Sequence, residues 1–264
     1  MVMSGRAVVS SGHYLATQAG LEILGRGGNA ADAAAAVGFA LTVVQPYQNG
    51  IGGEVPTLVY SASDRSVRAV SGHGTAPRAA TLERFLSLGL KIVPGDGFLP
   101  AVTPPAPASW ILLLERFGTM SLGEVIAPAI RLAEEGFPVY DALRTAIATN
   151  AERFRKEWPS SAQVFMPGGK VPETGTIWRN ADWARTFKRL VRAEAKAKGR
   201  ERGLQAARDE FYTGAIAKRI VQFVRGTEIR DASGKAHKGL LTLEDFADYR
   251  AKVEYLAEEL KRKS

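Results

Sequence analysis

His13, His73 and His237 are the three imidazoles of the chain. They stand too far apart for any pair to show metal-ligand spacing, so no metal site is expected from them. Cysteine is absent, which excludes a disulfide framework, a thiolate zinc centre, an iron–sulfur cluster and a cysteine nucleophile. There is no G-x-S-x-G elbow, no Walker loop and no H-E-x-x-H pair. Gly25-Arg-Gly-Gly28 superficially resembles a phosphate loop before a helix. It follows a helical pattern rather than a strand and lacks the G-x-G-x-x-G spacing, so no nucleotide or other cofactor is expected there. His73 lies in the loop Gly72-His-Gly-Thr-Ala-Pro77, where its plain reading is a structural hydrogen bond and its functional reading is a contact to substrate. On composition and spacing alone the chain is a helix-rich domain whose site is not identified.

The elements that would position such a loop follow from apolar spacing and capping. His13–Leu24 reads as a helix with Leu15, Ala19 and Ile23 on one side, ending at the glycines that follow. Asn29 is an N-cap for a helix over Ala30–Val44, and Asp32 at its third position completes a capping pair. The alanine content of that helix requires another backbone close by. Val8–Ser10 reads as a short strand. Pro46–Gly53 is a glycine-punctuated loop, and Thr57–Ser61 with Val67–Ser71 has the alternation and spacing of a hairpin. Trp110–Phe117 is a helix. Ser121-Leu-Gly-Glu124 is a capping box opening a helix to about Glu135, and Pro128 inside it is expected to bend it or confine its regular part to one side. Further helices are expected at Tyr140–Trp158, Asn180–Lys198, Gly203–Phe211, Gly214–Phe223 and Thr242–Leu260.

Composition bounds the rest. The 264 residues are 45% apolar and 23% charged, an ordinary globular balance with enough length to bury a sizeable core. No apolar run reaches the roughly 18 residues of a membrane span, the closest being Ala30–Val44 with Asp32 inside it. Met1–Val9 has too short an apolar core for a signal peptide, so a cytoplasmic location is expected, or a periplasmic or secreted one if a leader has been removed. The net charge of +8 is uneven. Between Arg185 and Arg208 nine basic residues face only Glu194 and Glu201, a local net of +7. Trp183, Phe187, Leu190 and Val191 fall at helical spacing as a buried stripe, so this stretch reads as a solvated helix surface. The competing reading is a polyanion-binding face; the aromatic interleaving expected of a nucleic-acid binder is missing, and nucleic acid is not the expected partner.

Several stretches in order resemble the gamma-glutamyltransferase family. They are Ala7-Val-Val-Ser-Ser11, Leu15–Leu24, Gly27-Gly-Asn-Ala-Ala-Asp-Ala-Ala34, Asn49-Gly-Ile-Gly-Gly53, Gly74-Thr-Ala-Pro77, Ala127–Val139, Ala207–Ala217 and Leu241–Tyr249. The resemblance spans about residues 7–254, within one large-subunit-like unit over 1–264 that ends in a divergent tail at 255–264. It implies an α/β fold of the α+β type: an N-terminal-nucleophile hydrolase-like αββα sandwich, incomplete here, helix-rich with a few strands. It also implies chemistry. In that family a precursor cuts itself before a Thr, whose hydroxyl becomes the nucleophile while its freed α-amine takes the proton. The acyl group of a gamma-glutamyl or other amide passes to that Thr and then to water or an amine.

The chain departs from this pattern at two places. Of the Gly-Thr pairs ending at Thr75, Thr119, Thr176 and Thr227, none is followed by the second hydroxyl residue and alternating strand of the family's cleavage point. No catalytic residue is therefore assigned here, and the expected partner is a small subunit carrying the Thr. The alternative is a non-catalytic truncated paralogue or scaffold. Second, the Arg-Glu pair that precedes x-Ala-Pro in well-known members is His73-Gly74 here. Arg clamps a carboxylate permanently, whereas His offers at most a pH-dependent contact. His73 and Arg78, just after Pro77, are the candidate substrate-binding residues.

Overall fold

A computed structural model describes residues 3–255 of the chain. The first helix, α1 (Tyr14–Gly25), begins where extended His13 turns its Nδ1 onto the Leu15 N–H at 3.2 Å. This satisfies one of the donors that every helix N-terminus leaves open. The imidazole is buried between Tyr14, Phe137 and Tyr140, and that burial lowers its pKa, which favours the neutral acceptor form the cap requires. α1 stops at Arg26, and the chain reverses through Gly27 at φ +94°. α2 (Ala30–Val44) then starts with a complete capping box between Asn29 and Asp32, as the sequence predicts.

Strands β1 (Thr57–Ser61) and β2 (Ser66–Ser71) form the expected antiparallel hairpin, in register from Thr57↔Val70 to Ser61↔Ser66. Short α3 (Leu82–Ser87) leads through the Pro- and Gly-rich path to α4 (Ala106–Phe117). α5 (Leu122–Glu135) opens on the Ser121/Glu124 capping box and runs on through Pro128. β3 (Phe137–Pro138), α6 (Asp141–Lys156) and α7 (Pro159–Phe165) follow, and β4 (Ile177–Trp178) returns to pair with β3. The C-terminal half is α8 (Ala181–Lys196), α9 (Arg200–Tyr212) and α10 (Ala215–Gly226), then a two-residue hairpin of β5 (Ile229–Arg230) and β6 (Ala236–His237). Last come α11 (Leu243–Asp248) and β7 (Lys252–Tyr255). β7 joins β2 antiparallel, giving a three-stranded sheet in the order β1-β2-β7.

One apolar core runs through α1, α2, α4, α5, α8 and α9. Phe39 sits at its centre, fully buried, 4.4 Å from the Trp110 ring and 5.6 Å from the Phe187 ring. The class is helix-rich α+β with few strands, as expected. Among the described residues no helix is long and apolar enough to cross a membrane.

Two predicted elements are corrected. Val8–Ser10 is not a strand: among the described residues no strand pairs with it. The helix expected over Thr242–Leu260 ends at Asp248, and the chain turns extended at Tyr249. The Tyr249 carbonyl accepts from the Arg208 guanidinium, and Lys252–Tyr255 pair with β2 instead of continuing the helix. The part of that prediction beyond Tyr255, with nearly all of the 255–264 tail, lies outside the described residues.

Candidate functional site

The hairpin brings the two glycine-rich loops to one place. Its register, continued two pairs beyond Thr57↔Val70, sets Val55 opposite Gly72, and the Val55 N–H donates to the Gly72 carbonyl at 2.9 Å. The next pair outward is Glu54, immediately after Asn49-Gly-Ile-Gly-Gly53, and His73. There the His73 Nδ1 lies 3.3 Å from the Glu54 carboxylate, both side chains being exposed. Glycine at 72 and 74 follows from the crowding of this mouth. A Cβ on Gly72 would lie 2.7 Å from the Pro56 nitrogen, with the Val55 carbonyl nearer still. A Cβ on Gly74 would lie 2.5 Å from the Thr103 carbonyl oxygen.

Loop 72–78 is fastened along its length. The Tyr249 hydroxyl donates to the His73 carbonyl at 2.9 Å, and burial raises the pKa of that phenol, which keeps it a donor. The Thr103 N–H donates to the Thr75 carbonyl at 2.9 Å. The Arg78 N–H donates to the Asp245 carboxylate at 3.0 Å, and the Arg78 guanidinium pairs with Asp248. Asp245 is itself the third residue of the capping box that starts α11 at Thr242. The loop is thus pinned to the element whose length the sequence overstates.

The two predicted residues therefore share one loop but not one partner. His73 faces Glu54 across the hairpin mouth, and Arg78, 73% exposed at its side chain, is engaged by Asp248. Glu54, Tyr249 and Asp248 are the contributors that reading by motif misses. Glu54 was accessible in principle, because the hairpin register alone makes it the cross-strand neighbour of His73.

The basic stretch 185–208 resolves into two helices broken at Gly199, φ +88°. Phe187 and Leu190 are buried, as the apolar stripe predicts. Much of its charge is spent internally. Arg185 pairs with Asp182, Lys188 with Glu134, Arg189 with Glu210 and Arg208 with Asp209. Arg200 donates to the carbonyls of Met120 and Leu114, closing the C-terminal end of α4. Glu194 accepts the Leu122 and Gly123 N–H groups at 2.6 and 2.7 Å, a carboxylate placed on the N-terminus of α5.

Comparison with known proteins gives this geometry a lineage. The family model described as gamma-glutamyltranspeptidase matches residues 16–259. The glutathione hydrolase-like YwrD proenzyme of Bacillus subtilis is 32% identical over 259 residues, covering 97% of this chain and 46% of that protein. The crystal structure of Helicobacter pylori gamma-glutamyltranspeptidase superposes with a TM-score of 0.80 at 29% identity, over 96% of this chain and 67% of that one. A cephalosporin acylase from Bacillus halodurans superposes with a TM-score of 0.76 at 33% identity, over 90% of this chain and 41% of that one. The chain thus spans less than half the length of the curated relatives it matches first. Its helix-rich α+β fold is the one those transpeptidase and acylase structures share, and the chain belongs to the gamma-glutamyltranspeptidase family.

Proposed function

We propose that this chain is the large-subunit portion of an amide hydrolase and acyl transferase whose Thr nucleophile is carried by a companion polypeptide. The observation that carries the reading is the joined pair of loops, 49–54 and 72–78, built at the hairpin mouth in a chain related to this family over nearly its whole length. In the reaction, the α-amine of the N-terminal Thr takes the proton of its own hydroxyl, and the oxygen attacks the amide carbonyl. The amine leaves with that proton, and water or a second amine then takes the acyl group from the Thr ester. This chain's part is to hold the acyl donor beside the Thr.

The substrate class follows from the loop. An Arg at position 73 would offer a permanent fork for an α-carboxylate. His73 offers an imidazole already beside Glu54, whose charge opposes a second carboxylate. Arg78 is the other candidate clamp, and Asp248 already holds its guanidinium. Loss of one partner from a buried carboxylate clamp costs about 2–5 kcal/mol. The favoured acyl donors are therefore amides without that α-carboxylate, such as glutaryl amides, ahead of gamma-glutamyl amides such as glutathione. The name of the Bacillus halodurans relative, an acylase, supports this direction.

The test is the ratio of kcat/KM for a glutaryl and a gamma-glutamyl anilide, measured on the chain assembled with its Thr-led companion. A ratio favouring glutaryl supports the reading. A ratio strongly favouring gamma-glutamyl, unchanged in His73→Ala and lost in Arg78→Ala, assigns the clamp to Arg78. The same ratio unchanged in both variants means that neither residue reads the donor.

A further inference from the structure

Helices α8 and α10 enclose a cleft of about 550 Å³ that the acyl-transfer reading does not use. Its floor is apolar: Trp183, Phe211, Ile216 and Ile220. Trp183 is held by stacking on buried Phe187, ring centroids 5.2 Å apart. Its rim is cationic. Arg185, Arg189 and Arg192 recur at four and three residues along α8, one face of that helix, and Arg219 stands opposite on α10. Asp182 and Glu210 neutralise Arg185 and Arg189, but among the described residues Arg192 and Arg219 have no carboxylate partner.

We infer that this cleft binds a small amphipathic carboxylate, with an aromatic or alkyl body on the Trp183 floor and its carboxylate between Arg192 and Arg219. The volume lies within the range of small-molecule sites, and such sites combine an apolar lining with a few charged groups that orient the ligand. Two guanidiniums left without an internal partner beside an apolar floor select an anion with an apolar body over a plain phosphate or a plain hydrocarbon. Ile51 lines the same cleft and is three residues from Glu54, so a chain of this length places the cleft's end within about 11 Å, Cα to Cα, of the hairpin mouth. The inference does not depend on the nucleophile or on turnover.

The probe is dansylglutamate, an aromatic dicarboxylate, titrated with the full chain and followed by fluorescence anisotropy. Dansylamide, which lacks the carboxylates, is the control. Saturable binding is expected, at least about tenfold weaker for dansylamide and for the double variant Arg192→Gln/Arg219→Gln, the ratio expected from losing a charge-assisted contact. Both arginines are exposed, so the double variant keeps its fold, and its unchanged thermal transition checks this. Equal affinity in the double variant, equal affinity for dansylamide, or no saturation overturns the inference. So does loss of binding in Leu58→Thr/Tyr60→Thr, which would put the dye on the exposed sheet face instead.

Discussion

Asp32 is the residue whose replacement should cost the fold most per atom removed. It is fully buried at the start of α2, and its carboxylate accepts the Asn29 N–H at 2.9 Å, the Thr119 N–H at 3.0 Å, the Thr119 hydroxyl at 2.8 Å and the Met120 N–H at 3.2 Å. It thereby closes the α2 cap and fixes the turn that launches α5. Asp32→Ala leaves the buried Met120 N–H without an acceptor, and removes both acceptors of the Thr119 N–H, which lies at an exposed residue. An orphaned buried donor costs about 1–3 kcal/mol and a lost cap about 1 kcal/mol. The Thr119 hydroxyl and the Asn29 N–H lie near enough to solvent to recover part of their bonding. The sum is about 2–4 kcal/mol, or roughly 5–15 °C in Tm for a chain of this size. Asp32→Asn keeps the volume but turns an NH2 group toward a nest of donors, and should lose about half as much. Urea unfolding with an unchanged m-value measures both. A loss below about 1 kcal/mol in Asp32→Ala would show that the turn at Thr119 is held by its packing and that the carboxylate is incidental.

Three further outcomes are expected. Burial pushes the Asp231 carboxyl up, but hydrogen bonds from the Ser233 hydroxyl and from His237 outweigh it and leave the pKa below the usual carboxylate range. A folded pKa that is depressed gives stability that is full above the unfolded value near 4 and is lost as pH falls through the folded value. Urea midpoints from pH 6 to 3 should therefore fall less steeply in Asp231→Asn than in the parent, and parallel curves would contradict the assignment. Gly72→Ala should disrupt the hairpin mouth by more than about 2 kcal/mol, because the new methyl meets backbone rather than a movable side chain; thermal unfolding within 2 °C of the parent would be inconsistent with that crowding. Leu58 and Tyr60 share one face of β1 at 71% and 64% exposure, so the isolated chain should bind anilinonaphthalenesulfonate or self-associate, and Leu58→Thr/Tyr60→Thr should suppress this. A monodisperse parent with little dye binding would mean that this face needs no cover.

Much of this structure can be read from local sequence, and the reason differs by element. The Asn29/Asp32 and Ser121/Glu124 caps are legible because both halves of each box lie within one turn. The β1–β2 hairpin is legible because its alternation and its short loop are local as well. Val8–Ser10 and Thr242–Leu260 mislead because strand and helix there are decided by distant partners. Val8 has β-forming neighbours but, among the described residues, no strand pairs with it, and Tyr249 leaves the helix for a guanidinium on α9, after which Lys252–Tyr255 pair with β2. The loop carrying His73 is legible by resemblance. Its fastening to Tyr249 and Asp245 crosses more than 160 residues and has no signature in either segment alone.

The proposed role of this chain is to present the acyl donor to a Thr carried by a companion polypeptide. Its most direct measurement is chromophore release from a glutaryl or gamma-glutamyl anilide by the purified chain, alone and mixed with a Thr-led companion polypeptide. The expected result is a buffer-level rate for the chain alone and turnover that appears only with the companion and disappears when its leading Thr is replaced by Ala. Turnover by the chain alone that survives stringent purification would contradict this role. So would a folded, associated pair with no activity on either anilide, the behaviour of a non-catalytic scaffold.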